Sequence, residues 1–491
     1  MKNTILIIAV VVIFTGCSVH KAHIKEPLIE MPAAFSEQSG ETSYSGQWWK
    51  QFGDEKLDYL MEEVFKHNLD IVQAYERLQQ SVSILKKTGA AGLPIVNIEG
   101  SGGRTRQPGA FGASTSDAYS VSAKASYEVD LWKKVDSSTK AARFDMLATE
   151  QNLKALYISI SAQAAELYYQ AVEQRAQLAL SDNAIVSFQD TLARVERRYK
   201  EGLVPSIDLY QSRQNLAAAK AQRPLFESNL AVTLNALSVL AGRFPDKDIG
   251  GTNMVLENSP DMKTGLPSQL LMNRPDIRSS LMKLKASNER ISTAVADRFP
   301  SFNLVGSYGG ASDEVGTILD SPNILWIALL QITQPIFDGQ RRKAEVDRAE
   351  AEFRGQLAEY HQSILNAFRE VEDSLARINA SIKRIAMLSD QVNAASNSHR
   401  LALERYMQGL SDYQPVLTEQ RSLFISKSDL LQAKRQLISD NIQLARALGG
   451  EWVNNELLSN QLISEETNNN IDIAIKKYGG SRDQGVAGSS E

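Results

Sequence analysis

The chain repeats itself. Arg198-Tyr199 with Gly202-Leu203 recurs as Arg405-Tyr406 with Gly409-Leu410, an offset of 207 residues, and Ala241-Gly242 recurs at the same offset as Leu448-Gly449. Leu93-Pro94, Asn97, Gly100-Ser101 and Gly103 recur as Phe299-Pro300, Asn303, Gly306-Ser307 and Gly309 at 206. Asp130-Leu131-Trp132-Lys133-Lys134 has a looser counterpart in Pro335-Ile336-Phe337-Asp338-Gly339. Matches in one order at nearly one offset mean two copies of a unit of about 200 residues, and no fold that treats the chain as unrelated domains satisfies them. Each copy reads as helix, strand pair, long helix, tip turn at Gly202 or Gly409, and return helix over 203–241 or 411–448.

The long helices are uninterrupted by proline from Leu131 to Tyr199 and from Asp338 to Tyr406. Stretches of that length would reach on the order of 100 Å at 1.5 Å per residue. Ile364, Phe368, Val371, Leu375, Ile378, Ile382 and Ile385 alternate spacings of four and three, an a/d seam of helices packed side by side. Leu153, Leu156, Ile160, Ala164 and Leu167 do the same in the first copy. Their charged outer faces exclude a membrane-spanning helix.

The strand segments, 93–129 and 299–335, differ in period: Tyr119–Val129 alternates strictly, Ile95–Arg104 and Ser301–Gly309 alternate less cleanly, and Leu325–Gln334 is apolar on both faces. Tyr119, Val121, Ala123, Ala125, Tyr127 and Val129 fall on one face, and Ser120, Ser122, Lys124, Ser126 and Glu128 on the other. Apolar-out, polar-in segments of about ten residues suit tilted transmembrane strands. The Gly-, Ser- and Asp-rich segments 105–118 and 310–323 read as loops on the outer surface. Trp132 with Lys133, and Phe337 with Arg341, place an aromatic ring and then a cation after each hairpin. This order marks a membrane–water boundary. Four strands cannot close a membrane barrel, whose smallest members have about eight, and an open edge in hydrocarbon is costly. Strands must therefore be shared among subunits, as eight in a dimer or twelve in a trimer, and the sequence does not choose.

Residues 1–16 form a signal pattern: Met1-Lys2, an apolar run from Ile5 to Phe14, then Thr15-Gly16 before Cys17, the only cysteine. This end resembles a bacterial lipobox with Cys17 as the acylated residue, and Ser18 after it favours sorting to the outer membrane. One cysteine excludes an intrachain disulfide and a Cys-based zinc site, and five scattered histidines offer little for a metal cluster. No HExxH, GxxxxGK[ST] or GxGxxG occurs, so no catalytic residue, cofactor or metal is assigned and the chain is not read as an enzyme. With 53 Lys+Arg against 58 Asp+Glu there is no basic excess to hold nucleic acid.

Trp48-Trp49-Lys50-Gln51-Phe52-Gly53-Asp54, Gly265-Leu266-Pro267-Ser268 running to Asn273-Arg274-Pro275-Asp276-Ile277, Phe337-Asp338-Gly339 and Ala447-Leu448-Gly449-Gly450 carry a resemblance over nearly the whole mature chain. It resembles the TolC family of outer-membrane channels, in the OprM-like lipoprotein branch that serves RND-type pumps. Lys133 departs from the Gly usual after Asp-Leu-Trp. The resemblance implies a mainly α fold with transmembrane β: a homotrimer with a twelve-stranded barrel and a twelve-helix periplasmic tunnel. It assigns 56–92, 130–242, 276–298 and 336–449 to the tunnel, and 18–55, 243–275 and 450–491 to an equatorial belt and tail. It implies passive conduction from an inner-membrane pump through a periplasmic adaptor, with outer-membrane lipid around the barrel. The implied gate is at the helix tips: Arg198, Tyr199 and Asp208 in one turn, and Arg405, Tyr406 and Asp412 in the other. Where the branch has a further Asp, this chain has Thr418 beside Glu419. The alternative reading of Asp208 and Asp412 is as simple helix caps after a turn. A lipid-anchored periplasmic scaffold without a pore, or a duct for type I protein secretion, is the alternative function.

Overall fold

A computed structural model describes residues 32, 34–36, 46–109, 112–249, 269–450 and 452–459. Cys17, the signal segment 1–16 and most of the expected belt and tail lie outside them. A short 3-10 helix, Trp48–Phe52, leads into α1 (Glu55–His67) and α2 (Leu69–Ala90). Then come β1 (Ile95–Gly109), β2 (Gly112–Glu128), α3 (Lys134–Lys200) and α4 (Ser206–Leu240). The second copy follows: α5 (Gln269–Asn273), α6 (Pro275–Ala296), β3 (Ser301–Ser312), β4 (Ile324–Thr333), α7 (Arg341–Met407) and α8 (Gln414–Leu448), with α9 (Trp452–Ser459) at the end. The duplication is exact in helix length: α2 and α6 have 22 residues, α3 and α7 have 67, α4 and α8 have 35.

The hydrophobic periodicity places the helices. The upper part of α3 packs between α2 and α6, and its lower part packs on α4 and α8. Leu153, Ile160 and Ala164 are buried along that seam. In α7 the seam holds through Ile364, Val371 and Leu375 but leaves the core at Ile382, which is 52% exposed. Among the described residues α7 packs mainly on α6 and α8, so the stripe runs on past its partners.

Halfway along α3 an aromatic cluster forms the largest core. Trp49 meets Trp452 edge to face at 4.8 Å, and Phe52 and Phe65 lie on Tyr169 and Tyr157. Tyr168 donates its hydroxyl to Asp54 at 2.7 Å. The Asn-Arg-Pro-Asp segment is a second clamp. Buried Arg274 bonds Asp276 at 2.6 Å, Glu370 at 2.9 Å and the carbonyl of Ala447 at 2.7 Å, while the amide of Gly450 reaches the carbonyl of Asn273.

The strands form one antiparallel sheet in the order β1-β2-β3-β4. Directly paired residues share a face, so Ile98, Ala123, Tyr308 and Trp326 lie on one side. Glu99, Ser122 and Gly309 lie on the other, where Lys124 pairs with Glu99 and Ser101 bonds Ser120 at 2.8 Å. The segment 105–118, read as a loop, is instead strand on both sides of the turn. Thr105 pairs with Ser116 and Gln107 with Ser114, and Arg104 grips Asp117 at 2.6 Å. Backbone pairing and polar cross-strand pairs hold it, with no apolar alternation to announce it. In 310–323 the strand runs to Ser312, and short 3-10 turns at Val315–Thr317 and Ser321–Asn323 follow.

Candidate functional site

Two ends of the helical bundle carry the sequence-derived residues. At the far tip, Gly202 and Gly409 take left-handed backbone, φ +74° and +76°, and turn each long helix into its return helix. Arg198, in the last turn of α3, crosses to the second copy. Its Nη1 donates to the carbonyls of Tyr406 at 2.8 Å and Met407 at 2.7 Å. Those carbonyls end α7, where the dipole is negative; the Gly409 amide gives that of Tyr406 one bond at 3.0 Å, and the guanidinium supplies a second, charged donor. The same guanidinium lies 4.9 Å from the Tyr406 ring centroid.

Tyr406 is 3% exposed and donates its hydroxyl to Asp208 at 3.2 Å. Its ring lies 5.1 Å from that of Tyr413, and Val195, Leu209, Val416 and Leu417 complete a small apolar knot. Burial raises the Asp208 carboxyl above the usual carboxylate range; the Tyr406 hydroxyl and Arg198 oppose this, and the Asp412 charge adds to it. Burial and the same carboxylate push the Tyr406 phenol upward. The chain therefore holds Arg198, Tyr406, Asp208 and, at the edge, Asp412 in one group. Tyr199 and Arg405 are not part of it: Tyr199 is 42% exposed, and Arg405 is exposed with no side-chain hydrogen bond among the described residues.

The capping alternative for the two acids is not what the geometry shows. Pro205 and Tyr413 occupy the N-cap positions of α4 and α8, and no side chain caps either helix. Asp208 sits in the first turn of α4, where its charge also suits the helix N-terminus. Tyr413 was missed in the sequence; its one signal is position, between the Gly409 turn and Pro415.

At the strand end, the Asp residues of the looser repeat do the capping. Asp130 accepts the amides of Val135 at 3.0 Å and Asp136 at 2.8 Å, and Asp338 accepts that of Arg342 at 3.3 Å. Each turn into a long helix passes through left-handed backbone just before it, at Lys133 (φ 58°) in the first copy and at Gly339 (φ 64°) and Gln340 (φ 69°) in the second. Trp132 stacks on Phe299 at 4.9 Å and donates to the carbonyl of Pro300 at 2.7 Å, tying the first hairpin to the second. Phe337 is 91% exposed, and Lys133 and Arg341 are exposed. Their neighbours Lys134 and Arg342 instead pair with Asp297 at 2.6 and 3.1 Å. Burial opposes the charge on Asp297, but the two cations outweigh it and hold the carboxyl below its ordinary value.

Among the described residues no group of His, Cys, Asp and Glu could hold a metal ion, and no helix is long and apolar enough to cross a membrane. The sheet is the element with a membrane-compatible face, and four strands per chain close into a barrel only as a trimer.

Comparison with known proteins agrees with this geometry. The profile of the family described as outer membrane efflux protein matches residues 60–243 and 266–450, one stretch for each copy of the repeat. The cation efflux system protein CusC of Escherichia coli strain K12 is 29% identical over 366 residues, covering 72% of this chain and 79% of its own. The solvent efflux pump outer membrane protein SrpC of Pseudomonas putida is 31% identical over 324 residues, covering 65% of this chain and 69% of its own. A crystal structure of CusC superposes with TM-score 0.81 at 26% identity, over 87% of this chain and 99% of that one. The CmeC outer membrane channel of Campylobacter jejuni, at 23% identity, shares the fold with TM-score 0.82 over 94% and 98%. The duplicated helices, the four-stranded sheet and a family match spanning both repeats place this chain in the outer membrane efflux protein family, the TolC-type channels that sit in the outer membrane, extend into the periplasm and serve tripartite efflux systems.

Proposed function

We propose that three copies of this chain form an OprM-like lipoprotein channel of an RND-type pump, tethered through Cys17 and closed at rest by its helix tips. The observation that carries the gate is the link from Arg198 to the end of α7 together with the Tyr406–Asp208 bond. It fastens the two helical hairpins of one chain to each other at the far tip, where the gate would lie. A periplasmic adaptor contacts the tips and an inner-membrane pump supplies the energy, because this chain has no chemistry of its own to do so. Trp132, Lys133, Phe337 and Arg341 sit at the strand-to-helix turns and mark the periplasmic boundary of the outer membrane; the exposed Phe337 ring is the residue best placed to enter lipid. Relatives named for cation efflux and for solvent efflux stand side by side, so the cargo is set by the pump and not by this conduit.

Purified protein in planar lipid bilayers tests the channel. Small unitary currents that grow when Arg198 is replaced support it. Silence from wild type and from Arg198→Ala alike would leave a lipid-tethered scaffold as the better account. For the anchor, Cys17→Ser abolishes incorporation of radioactive fatty acid, and persistent labelling would refute the assignment.

A further inference from the structure

The two 67-residue helices occupy equivalent places in the repeat yet are buried very differently. Inside one chain α3 buries 27 residues and α7 buries 11. The difference has a direction. The first copy's α3 has neighbours from both copies, α6 above and α8 below. The positions that answer to these on the other side of α7 belong, by the repeat, to α2 and α4 of a following copy. Those helices carry the matching unpartnered residues. Leu365, Ile382 and Leu401 on α7, Ile84 on α2, and Val232 and Tyr210 on α4 are all at least 49% exposed.

At the tip the repeat is specific to single atoms. Arg405 stands 207 residues after Arg198, and Tyr199 and Lys200 stand 207 before Tyr406 and Met407. A Cβ on Gly409 would lie 3.9 Å from the Arg198 guanidinium, whereas one on Gly202 would meet nothing within 4 Å. The second place is built and empty of an arginine from its own chain.

We infer that Arg405 fills this place on the next subunit, donating to the carbonyls of its Tyr199 and Lys200 with the guanidinium over the Tyr199 ring. The inference rests on the trimeric channel proposed above and specifies the surface by which one copy holds the next. The two seams are not equally strong. Pro415 stands 207 residues after Asp208, so Tyr199 has no carboxylate to receive its hydroxyl. His399 and Glu196 stand at the positions equivalent to Leu192 and Leu403, which pack against the knot within the chain. Six tip contacts around the tunnel would thus alternate: three knotted within chains, and three held between chains by an arginine alone. The tip parts first between subunits.

Cysteine cross-linking of the full-length trimer tests the contact, since Cys17 is the only native thiol and is consumed by acylation. Lys200→Cys with Arg405→Cys, treated with a short bis-maleimide, gives a ladder of covalent dimers and trimers. Arg198→Cys with Met407→Cys, the same geometry within a chain, reacts without raising the mass. Monomers alone from the first pair, in protein whose native mass is three chains, would overturn the contact while leaving the channel intact. A native mass of one chain would overturn the trimer itself. Pro415→Asp gives up a proline in the first turn of α8, where an acidic residue also suits the helix N-terminus. It adds the missing acceptor and slows dissociation of the trimer in sodium dodecyl sulfate roughly tenfold. An unchanged rate would refute the stated cause of the weaker seam.

Discussion

Arg198 engages Tyr406 twice, donating to its carbonyl at 2.8 Å and placing the guanidinium 4.9 Å from the centroid of its ring. One side chain thereby satisfies a helix end and packs on the residue that finishes it, which makes removal of Arg198 a clean test of closure. Hydrogen bonds from a charged donor contribute roughly 1.5–3 kcal/mol each. Arg198→Ala is expected to raise the open probability of single channels at least tenfold, a shift of about 1.4 kcal/mol or more. Tyr406→Phe keeps the ring and loses only the Asp208 bond, so its effect is smaller, about 1 kcal/mol. Equal and negligible effects in bilayer recordings would show that the link is packing without a gating role.

Acid should close the tip. Burial raises the Asp208 carboxyl, with Asp412 adding to the effect, so the closed tip binds a proton more tightly than an open, hydrated one. Closure gains from this below the ordinary carboxylate range, and the gain is lost as pH rises through the raised value. Open probability therefore falls as pH is lowered from neutral toward 4, and Asp208→Asn flattens the profile. A profile with the same slope in that variant would place the titration elsewhere.

Lys133 holds a left-handed backbone, φ 58°, immediately before α3. A side chain there costs about 1–2 kcal/mol that glycine avoids. Lys133→Gly is expected to raise stability by about 1 kcal/mol in thermal unfolding followed by circular dichroism. A lower midpoint would mean that the lysine side chain contributes more than its backbone costs.

The Arg274 clamp should be among the most sensitive points outside the tunnel seam. Arg274→Ala leaves Glu370 half-buried and the Ala447 carbonyl unpaired, and breaking a buried pair costs about 3–5 kcal/mol. Gly449→Ala should be damaging for a different reason: its φ is +74°, and the new Cβ would lie 2.6 Å from the Asn273 carbonyl oxygen. Folded yield and thermal midpoint check both. Wild-type stability in either variant would show that the segment is held by other contacts.

The sequence made the repeat, the four long helices and the strand faces legible because each depends on spacing along one chain. What it hid depends on neighbours. Arg198-Tyr199 and Arg405-Tyr406 are the same words in both copies, yet Tyr406 is 3% exposed and Tyr199 is 42%. Nothing local distinguishes them, since burial is decided by which copy lies alongside. Ile382 belongs to a perfect seam and is still exposed for the same reason. The 105–118 hairpin escaped because glycine, serine and an Arg104–Asp117 pair hold a strand as well as apolar alternation does, while reading as loop. Asp208 was found as an acid at the tip, but its partner lies 198 residues away, beyond any motif.

The equal 67-residue lengths of α3 and α7 have a consequence for how such a chain can change over time. Both helices start from one sheet and end in one rim, so together they act as twin gauges of the distance that rim stands from the membrane. Inserting or deleting a turn in one alone would tilt every second hairpin out of the plane that a docking ring must meet. A change of reach therefore has to be written twice, 207 residues apart, in the same chain. The duplication that built the tunnel also restrains it from drifting in length.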